Sequence, residues 1–220
     1  MRPLVIIPAR MGSKGVPQKN FRPLPNGLTL VEMACRMGHD ICGQVVVSTD
    51  KGKLTDDSAK WSERFGGTPN LVTYLERPRL LCGDDVPMSS VVEHVLRNVK
   101  GDPKQPIVLL QPTTPSRDVA MVRKCLKYAK RHDPAATVAE IPAKYARSVP
   151  TVPDGRVCVP PRRQECPPRY IFTGDCYAWL RGDGEPMPFL WHPVIVNEGV
   201  NIDTPADWLA FCESLRRVRV

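Results

Sequence analysis

The chain is expected to fold as an α/β domain on a mostly parallel sheet. Short, fully apolar runs recur along it, segments with apolar residues at helical spacing lie between them, and 220 residues suit one such domain. The first run, Leu4-Val5-Ile6-Ile7, has no polar alternation, as a strand buried on both faces requires. Thr29 and Glu32 make a capping box in front of a helix whose apolar face is Leu30, Met33, Ala34 and Met37. Val45-Val46-Val47 is the next strand. Leu54, Ser58, Trp61 and Phe65 then repeat at helical spacing, as do Val91, Val92, Val95, Leu96 and Val99. Ile107-Val108-Leu109-Leu110 is a third strand, and Val119, Val122, Leu126 and Ala129 form a third stripe. Strands are expected at Thr137-Val138-Ala139-Glu140-Ile141 and at Val194-Ile195-Val196. Thr204-Pro205-Ala206-Asp207 opens a last helix with a capping Thr, a first-turn Pro and an acid three residues after the cap, and Trp208, Leu209, Cys212 and Leu215 are expected to face inward.

Residues 1–220 thus read as a single domain. The alternation breaks at residues 142–168, which are rich in proline and carry Arg162-Arg163-Gln164, so this stretch is expected to leave the sheet as a protruding arm. The composition is globular, with 42% hydrophobic and 25% charged residues. No apolar run approaches the roughly 20 residues of a membrane span, and no secretion signal is visible at the N-terminus. The eight cysteines form no Cys-x-x-Cys pair, so free thiols in a reducing cytoplasm are expected rather than a zinc ribbon. The net charge of +8 raises the question of nucleic acid, with Arg123, Lys124, Lys127, Lys130 and Arg131 in one segment. No nucleic-acid motif accompanies that charge, and an anionic small substrate accounts for it equally well.

Chemistry concentrates in Pro8-Ala9-Arg10-Met11-Gly12-Ser13-Lys14-Gly15-Val16-Pro17-Gln18-Lys19-Asn20, directly after the first strand. Gly12 and Gly15 allow close backbone approach, Ser13 donates, and Arg10, Lys14 and Lys19 bring cations to one loop. Backbone N–H groups and cations at the C-terminal end of a strand suit a polyphosphate. The glycine spacing matches neither a Walker A loop nor the dinucleotide fingerprint.

This segment resembles the N-terminal signature of the CMP-sugar synthetases, above all the acylneuraminate cytidylyltransferases. Four later stretches are similar to that family in the same order: Val46-Val47-Ser48-Thr49-Asp50; Arg77-Pro78 through Gly83-Asp84; Leu110-Gln111-Pro112-Thr113-Thr114-Pro115-Ser116-Arg117; and Arg163-Gln164 with Tyr177 and Asn201-Ile202-Asp203-Thr204-Pro205. The resemblance implies a fold of the nucleotide-diphosphosugar transferase type. It implies transfer of CMP from CTP to an acidic sugar or a related hydroxylated acceptor, with pyrophosphate leaving and magnesium as cofactor. Arg10, Lys14 and Lys19 would neutralise the triphosphate, Ala9 and Asn20 would place the nucleotide, and Arg77 would lie near the base and ribose. Asp84 is either a nucleotide ligand or a helix-start acid. Gln111, at the end of a central strand, would bond the sugar, with Arg163 and Gln164 approaching it, from a neighbouring subunit if the arm makes a homodimer. Arg117 fixes the loop, and Asp203 would hold the metal.

The sequence departs from the family at three places. Arg10-Met11-Gly12-Ser13 replaces Arg-Gly-Gly-Ser, Thr173-Gly174-Asp175-Cys176-Tyr177 replaces the usual Asn-Gly-Ala-x-Tyr, and Asn201-Ile202-Asp203 replaces Asp-x-Asp. Asn201 then supplies one negative charge less beside Asp203, and Thr173, Asp175 and Tyr177 are expected on the acceptor side. Two other functions compete: a family member that binds nucleotide with little catalysis, and a basic protein associated with nucleic acid.

Overall fold

The computed structural model describes residues 1–13, 15–41, 43–50, 72–131, 134–140, 170–182, 192–196 and 200–217. Strands β1 (Leu4–Pro8), β2 (Gln44–Thr49), β3 (Val72–Glu76) and β4 (Pro106–Leu109) run parallel, with β1 between β2 and β4 and β3 beyond β2. Helices α1 (Leu30–Asp40) and α2 (Met88–Asn98) lie between these strands in the chain. After α3 (Val119–Ala129) come β5 (Ala135–Glu140), β6 (Tyr170–Leu180) and β7 (His192–Ile195), then α4 (Pro205–Arg217). Among the described residues the sheet order is β3-β2-β1-β4-β6-β5-β7, with β6 antiparallel to both of its neighbours and β5 parallel to β7. The sheet is therefore mixed and mostly parallel.

Alternate residues of the fully buried strands feed opposite layers, which is why their sequence shows no polar alternation. Val5, Ile7, Val45, Val47 and Val108 pack with Val31 and Ala34 of α1 and Val122, Cys125 and Leu126 of α3. Leu4, Ile6, Val46, Ile107, Leu109 and Trp179 pack on the other face with Val92 and Val95 of α2. The Thr29–Glu32 capping box is present. The helix expected around Leu54 to Phe65 and the arm at 142–168 lie outside the described residues.

One local expectation changes, and two strands have no sequence signal of their own. The inward face of α4 is Trp208, Phe211 and Cys212, with Leu215 packed against it; Leu209 is 63% exposed, because it sits about one-quarter turn off that stripe. Strand β3 has no continuous apolar run, since it is half-buried to exposed along its length. Strand β6 looks broken at Thr173-Gly174-Asp175, a turn-like triplet. The strand instead passes through it: Gly174 takes φ +76° and the β5–β6 register shifts between Ala136 and Val138, an irregularity that glycine absorbs. Cys35, Cys82, Cys125, Cys176 and Cys212 are free thiols, while Cys42, Cys158 and Cys166 lie outside the described residues. Burial pushes the Cys35 thiol well up, so it stays protonated and inert.

Candidate active site

A cleft of about 390 Å³ opens at the C-terminal ends of β1 and β4, where open α/β sheets bind ligands. The loop after β1 supplies one wall with Arg10, Gly12, Ser13, Gly15, Lys19 and Asn20. Several contacts fix that loop. The Met11 N–H donates to Asp50 Oδ1 at 2.7 Å, and Asn20 Nδ2 donates to the Arg10 carbonyl at 3.0 Å. Gly15 passes so close to the segment before α4 that a Cβ there would sit 2.0 Å from the Asp203 carbonyl oxygen. Behind this approach Val16 and Ile202 share an apolar cluster with Trp208 and Phe211, so the packing of α4 brings the two segments together.

The cations of the loop are held in place. Lys19 Nζ donates to the Ile202 carbonyl at 2.6 Å and to Asp203 Oδ1 at 3.1 Å. Arg10 donates to the Cys82 carbonyl at 3.1 Å and pairs with Asp84, which lines the cleft. Asp84 precedes α2 without capping it, since Pro87 occupies the N-cap position. Asn20 is only 6% exposed, and its Oδ1 has no hydrogen-bond partner among the described residues. A buried acceptor of this kind is costly unless a ligand donates to it.

Arg77 forms the deep end. It is 5% exposed, and its guanidinium donates to Ser48 Oγ at 3.1 Å and to the Ser48 carbonyl at 2.8 Å. Burial pulls its pKa below the usual value, and Asp50 and Cys82 oppose that fall. On α2, burial and the nearby Arg77 hold His94 below its ordinary pKa, so it is neutral at pH 7.

Gln111, Pro112 and Thr113 form the opposite wall. This turn is stapled to the Asp203 segment: the Ile202 N–H donates to the Thr113 carbonyl at 2.8 Å, and the Val200 N–H to Ser116 Oγ at 2.9 Å. Asp203 also lines the cleft, and Asn201 Nδ2 donates to its Oδ2 at 2.7 Å. Thr204 fulfils its capping role, accepting from the Asp207 N–H at 3.2 Å while its own N–H donates to Asp207 Oδ2 at 2.7 Å.

The structure thus brings Arg10, Gly12, Ser13, Lys19, Asn20, Arg77, Asp84, Gln111 and Asp203 to one cleft. Ala9 is fully buried between Pro8 and Arg10, its N–H donating to the Ser48 carbonyl at 2.9 Å. Thr173, Asp175, Tyr177 and Asn201 do not line the cleft. Thr173 Oγ1 bonds Thr137 Oγ1 at 2.9 Å, Asp175 is 3% exposed, and Tyr177 packs against the α2 layer. Burial and Asp175 hold the Tyr177 phenol above its usual pKa. Lys14, Arg163 and Gln164 lie outside the described residues. Ser48 and Asp50 were missed as site-builders, although the strand-end triplet Ser48-Thr49-Asp50 marks the place: polar residues closing an apolar strand sit where the ligand edge is.

Magnesium takes oxygen ligands, one or two of them carboxylates, with substrate phosphates completing the shell. Among the described residues no three His, Cys, Asp or Glu side chains converge as a ready-made metal cage. Asp203, the carboxylate on this side of the cleft, is an oxygen ligand of the kind an ion arriving on a polyphosphate takes, whereas Asn201 turns its Nδ2 to Asp203 and does not line the cleft.

The family model described as cytidylyltransferase matches residues 4–68, which hold β1, the cationic loop, α1 and β2. The resemblance to the CMP-sugar synthetase family is borne out by relatives. The chain is 26% identical over 226 residues to CMP-N,N'-diacetyllegionaminic acid synthase of Legionella pneumophila, covering 94% of each. Its fold matches CMP:2-keto-3-deoxy-manno-octonic acid synthetase complexed with CTP, with TM-score 0.71, 18% identity and 99% of both chains covered. It also matches 4-diphosphocytidyl-2C-methyl-D-erythritol synthase from Anaerococcus prevotii, with TM-score 0.63, 11% identity and 98% and 97% coverage. Among the described residues no helix is long and apolar enough to cross a membrane.

Proposed function

We propose that the protein transfers CMP from CTP to a hydroxyl of an acidic sugar and releases pyrophosphate. The observation that carries this reading is the convergence of Arg10 and Lys19 on one cleft with Arg77 at its deep end and Gln111 across from them. The acceptor oxygen attacks the α-phosphorus as the bond to the leaving pyrophosphate breaks. Such a step needs alignment and charge stabilisation rather than covalent protein chemistry. Arg10 and Lys19 exchange Asp84 and Asp203 for phosphate oxygens. The loop fixed by Asp50 supplies backbone N–H groups, and the bare Asn20 Oδ1 accepts from the nucleoside. Gln111 orients the acceptor. Magnesium, held by Asp203 and the nucleotide's own oxygens, would add positive charge at the phosphates. An acidic acceptor is favoured because the sequence relative is named for a sugar acid. The same reading carries a homodimer with residues 142–168 at the contact, which light scattering checks: a monomer mass at micromolar concentration contradicts it.

The test is a panel of each NTP with several acidic sugars and with a neutral polyol, scored for pyrophosphate release. Release with CTP and a sugar acid supports the proposal, and release only with the polyol moves the acceptor class. A second reading, nucleotide binding with little turnover, is favoured by Asn201 standing where the family carries an acid. It predicts CTP affinity with no release from any acceptor.

A further inference from the structure

Arg117 lies outside the cleft, yet it is one of the most buried charges described, at 8% exposure. Its Nε donates to the Asp175 carbonyl at 3.0 Å, and its Nη2 donates to Thr114 Oγ1 at 2.6 Å and to the Gln111 carbonyl. A buried guanidinium is an expensive way to fill space, so its presence calls for a geometric reason. Burial pulls its pKa to about 10, with Asp175 opposing that fall, so it remains charged at neutral pH.

The three oxygens belong to two elements. Gln111 and Thr114 form the turn after β4, and Asp175 lies on β6 at the Gly174 irregularity. Thr114 Oγ1 lies 3.2 Å from the Gly174 carbonyl and 3.1 Å from the Gln111 carbonyl, and with Arg117 donating to it, its hydroxyl proton is free to serve either. Gly174 completes the arrangement from behind: a Cβ there would stand 3.1 Å from Gln111 Oε1, so the Gln111 amide seats against the bare glycine. The backbone and the side chain of Gln111 are thus fixed by the same small assembly.

We infer that Arg117 is a positioning residue, which clamps the turn after β4 onto β6 and so sets where Gln111 presents its amide to the acceptor. Three contacts scattered around a loop would explain stability alone. The clamp instead converges on Gln111, which lines the cleft and whose amide oxygen seats against Gly174. The inference deepens the proposed reading and rests on it for the role of Gln111 as the acceptor contact. The nucleotide half has its own supports in Asp50, Ser48 and the Gly15 approach, none of which involves Arg117.

The test compares Arg117→Met and Arg117→Lys with the unaltered protein. A misplaced Gln111 amide forfeits about one hydrogen bond to the acceptor, so Arg117→Met is expected to raise the acceptor KM about tenfold. CTP affinity by calorimetry stays within about threefold, and Arg117→Lys regains part of the loss. In the ligand-free protein, the ¹⁵N side-chain resonance of Gln111, assigned by its loss in Gln111→Met, broadens or shifts in Arg117→Met. If no acceptor yields pyrophosphate with the unaltered protein, the proposed function fails, and the Gln111 resonance alone decides the clamp. Should Arg117→Met not fold, Thr114→Val and Gly174→Ala disturb the same assembly and are read the same way. An unmoved Gln111 resonance, or CTP affinity falling in step with acceptor KM, overturns the inference.

Discussion

The two halves of the sheet serve the cleft in opposite ways. In the parallel half, β1 and β4 end at the cleft, and the segments leaving β1, β3 and β4 carry most of the side chains that line it, from Arg10 through Arg77 to Gln111. In the antiparallel half, β6 lends backbone carbonyls at Gly174 and Asp175 to Thr114 and Arg117, and none of its described side chains lines the cleft. Parallel strands all point their C-terminal ends the same way, so consecutive loops gather on one edge. An antiparallel strand passes that edge in mid-course and can only buttress it. On the proposed function one half holds the nucleotide and the other sets the placement of the acceptor contact, and variants in each should fail differently.

The largest effect is expected on the nucleotide side. Lys19→Ala removes a cation that faces both the phosphates and Asp203, and loss of one such charge-stabilising donor costs about 10²–10³ in turnover. The protein should still fold, with a modest drop in melting temperature because the Ile202 carbonyl and Asp203 lose their partner while no apolar core side chain is removed. Near-normal turnover would show that Lys19 is redundant. Gly15→Ala ranks next: its Cβ must force the loop away from Asp203, so CTP affinity should fall, and stability should drop by about 1–3 kcal/mol as overpacking does. Calorimetry and thermal melting read both. On the acceptor side, Gln111→Ala should raise the acceptor KM about tenfold, the scale of one lost hydrogen bond to substrate, while CTP affinity holds. Equal losses in both would erase the division between the halves.

The smallest effect sharpens the joint between the halves. The Asp207 carboxyl is held below its usual pKa, first by the Thr204 backbone N–H, then by the Thr204 hydroxyl and the Asp203 N–H. Because the folded value is depressed, the stabilisation is fully present above the unfolded pKa of roughly 4 and is lost as pH falls through the folded value. The difference in melting temperature between the unaltered protein and Asp207→Asn should therefore be clear at pH 6 and shrink toward zero in strong acid. A constant difference would place the cap elsewhere.

The same division explains what the sequence reveals. A strand buried on both faces must be apolar at every position, so Leu4 to Ile7, Val45 to Val47 and Ile107 to Leu110 announce themselves, and the cationic loop follows the first of them directly. Capping pairs are local, so Thr29 with Glu32 and Thr204 with Asp207 are equally plain. Strand β6 is not, because Gly174 and Asp175 look like a turn until a partner strand is known to accept the positive φ. The burial of Asp175 and Tyr177 is hidden for the same reason: it depends on what β4 and β5 place beside them. The pairing of Arg10 with Asp84 and of Lys19 with Asp203 spans 74 and 184 residues of chain, and no spacing rule reaches that far.

The account's central claim is that this cleft is built for a pyrimidine nucleoside triphosphate. On the proposed function the base lies beside the pinned Arg77, in a pocket that should admit one ring rather than two. Calorimetry of the intact protein with CTP, ATP and GTP under identical salt tests it most directly. The account predicts CTP binding at least about tenfold tighter than either purine nucleotide, a difference of roughly 1.4 kcal/mol, with affinity falling in Lys19→Ala. Purine nucleotides binding as tightly as CTP, or better, would contradict it.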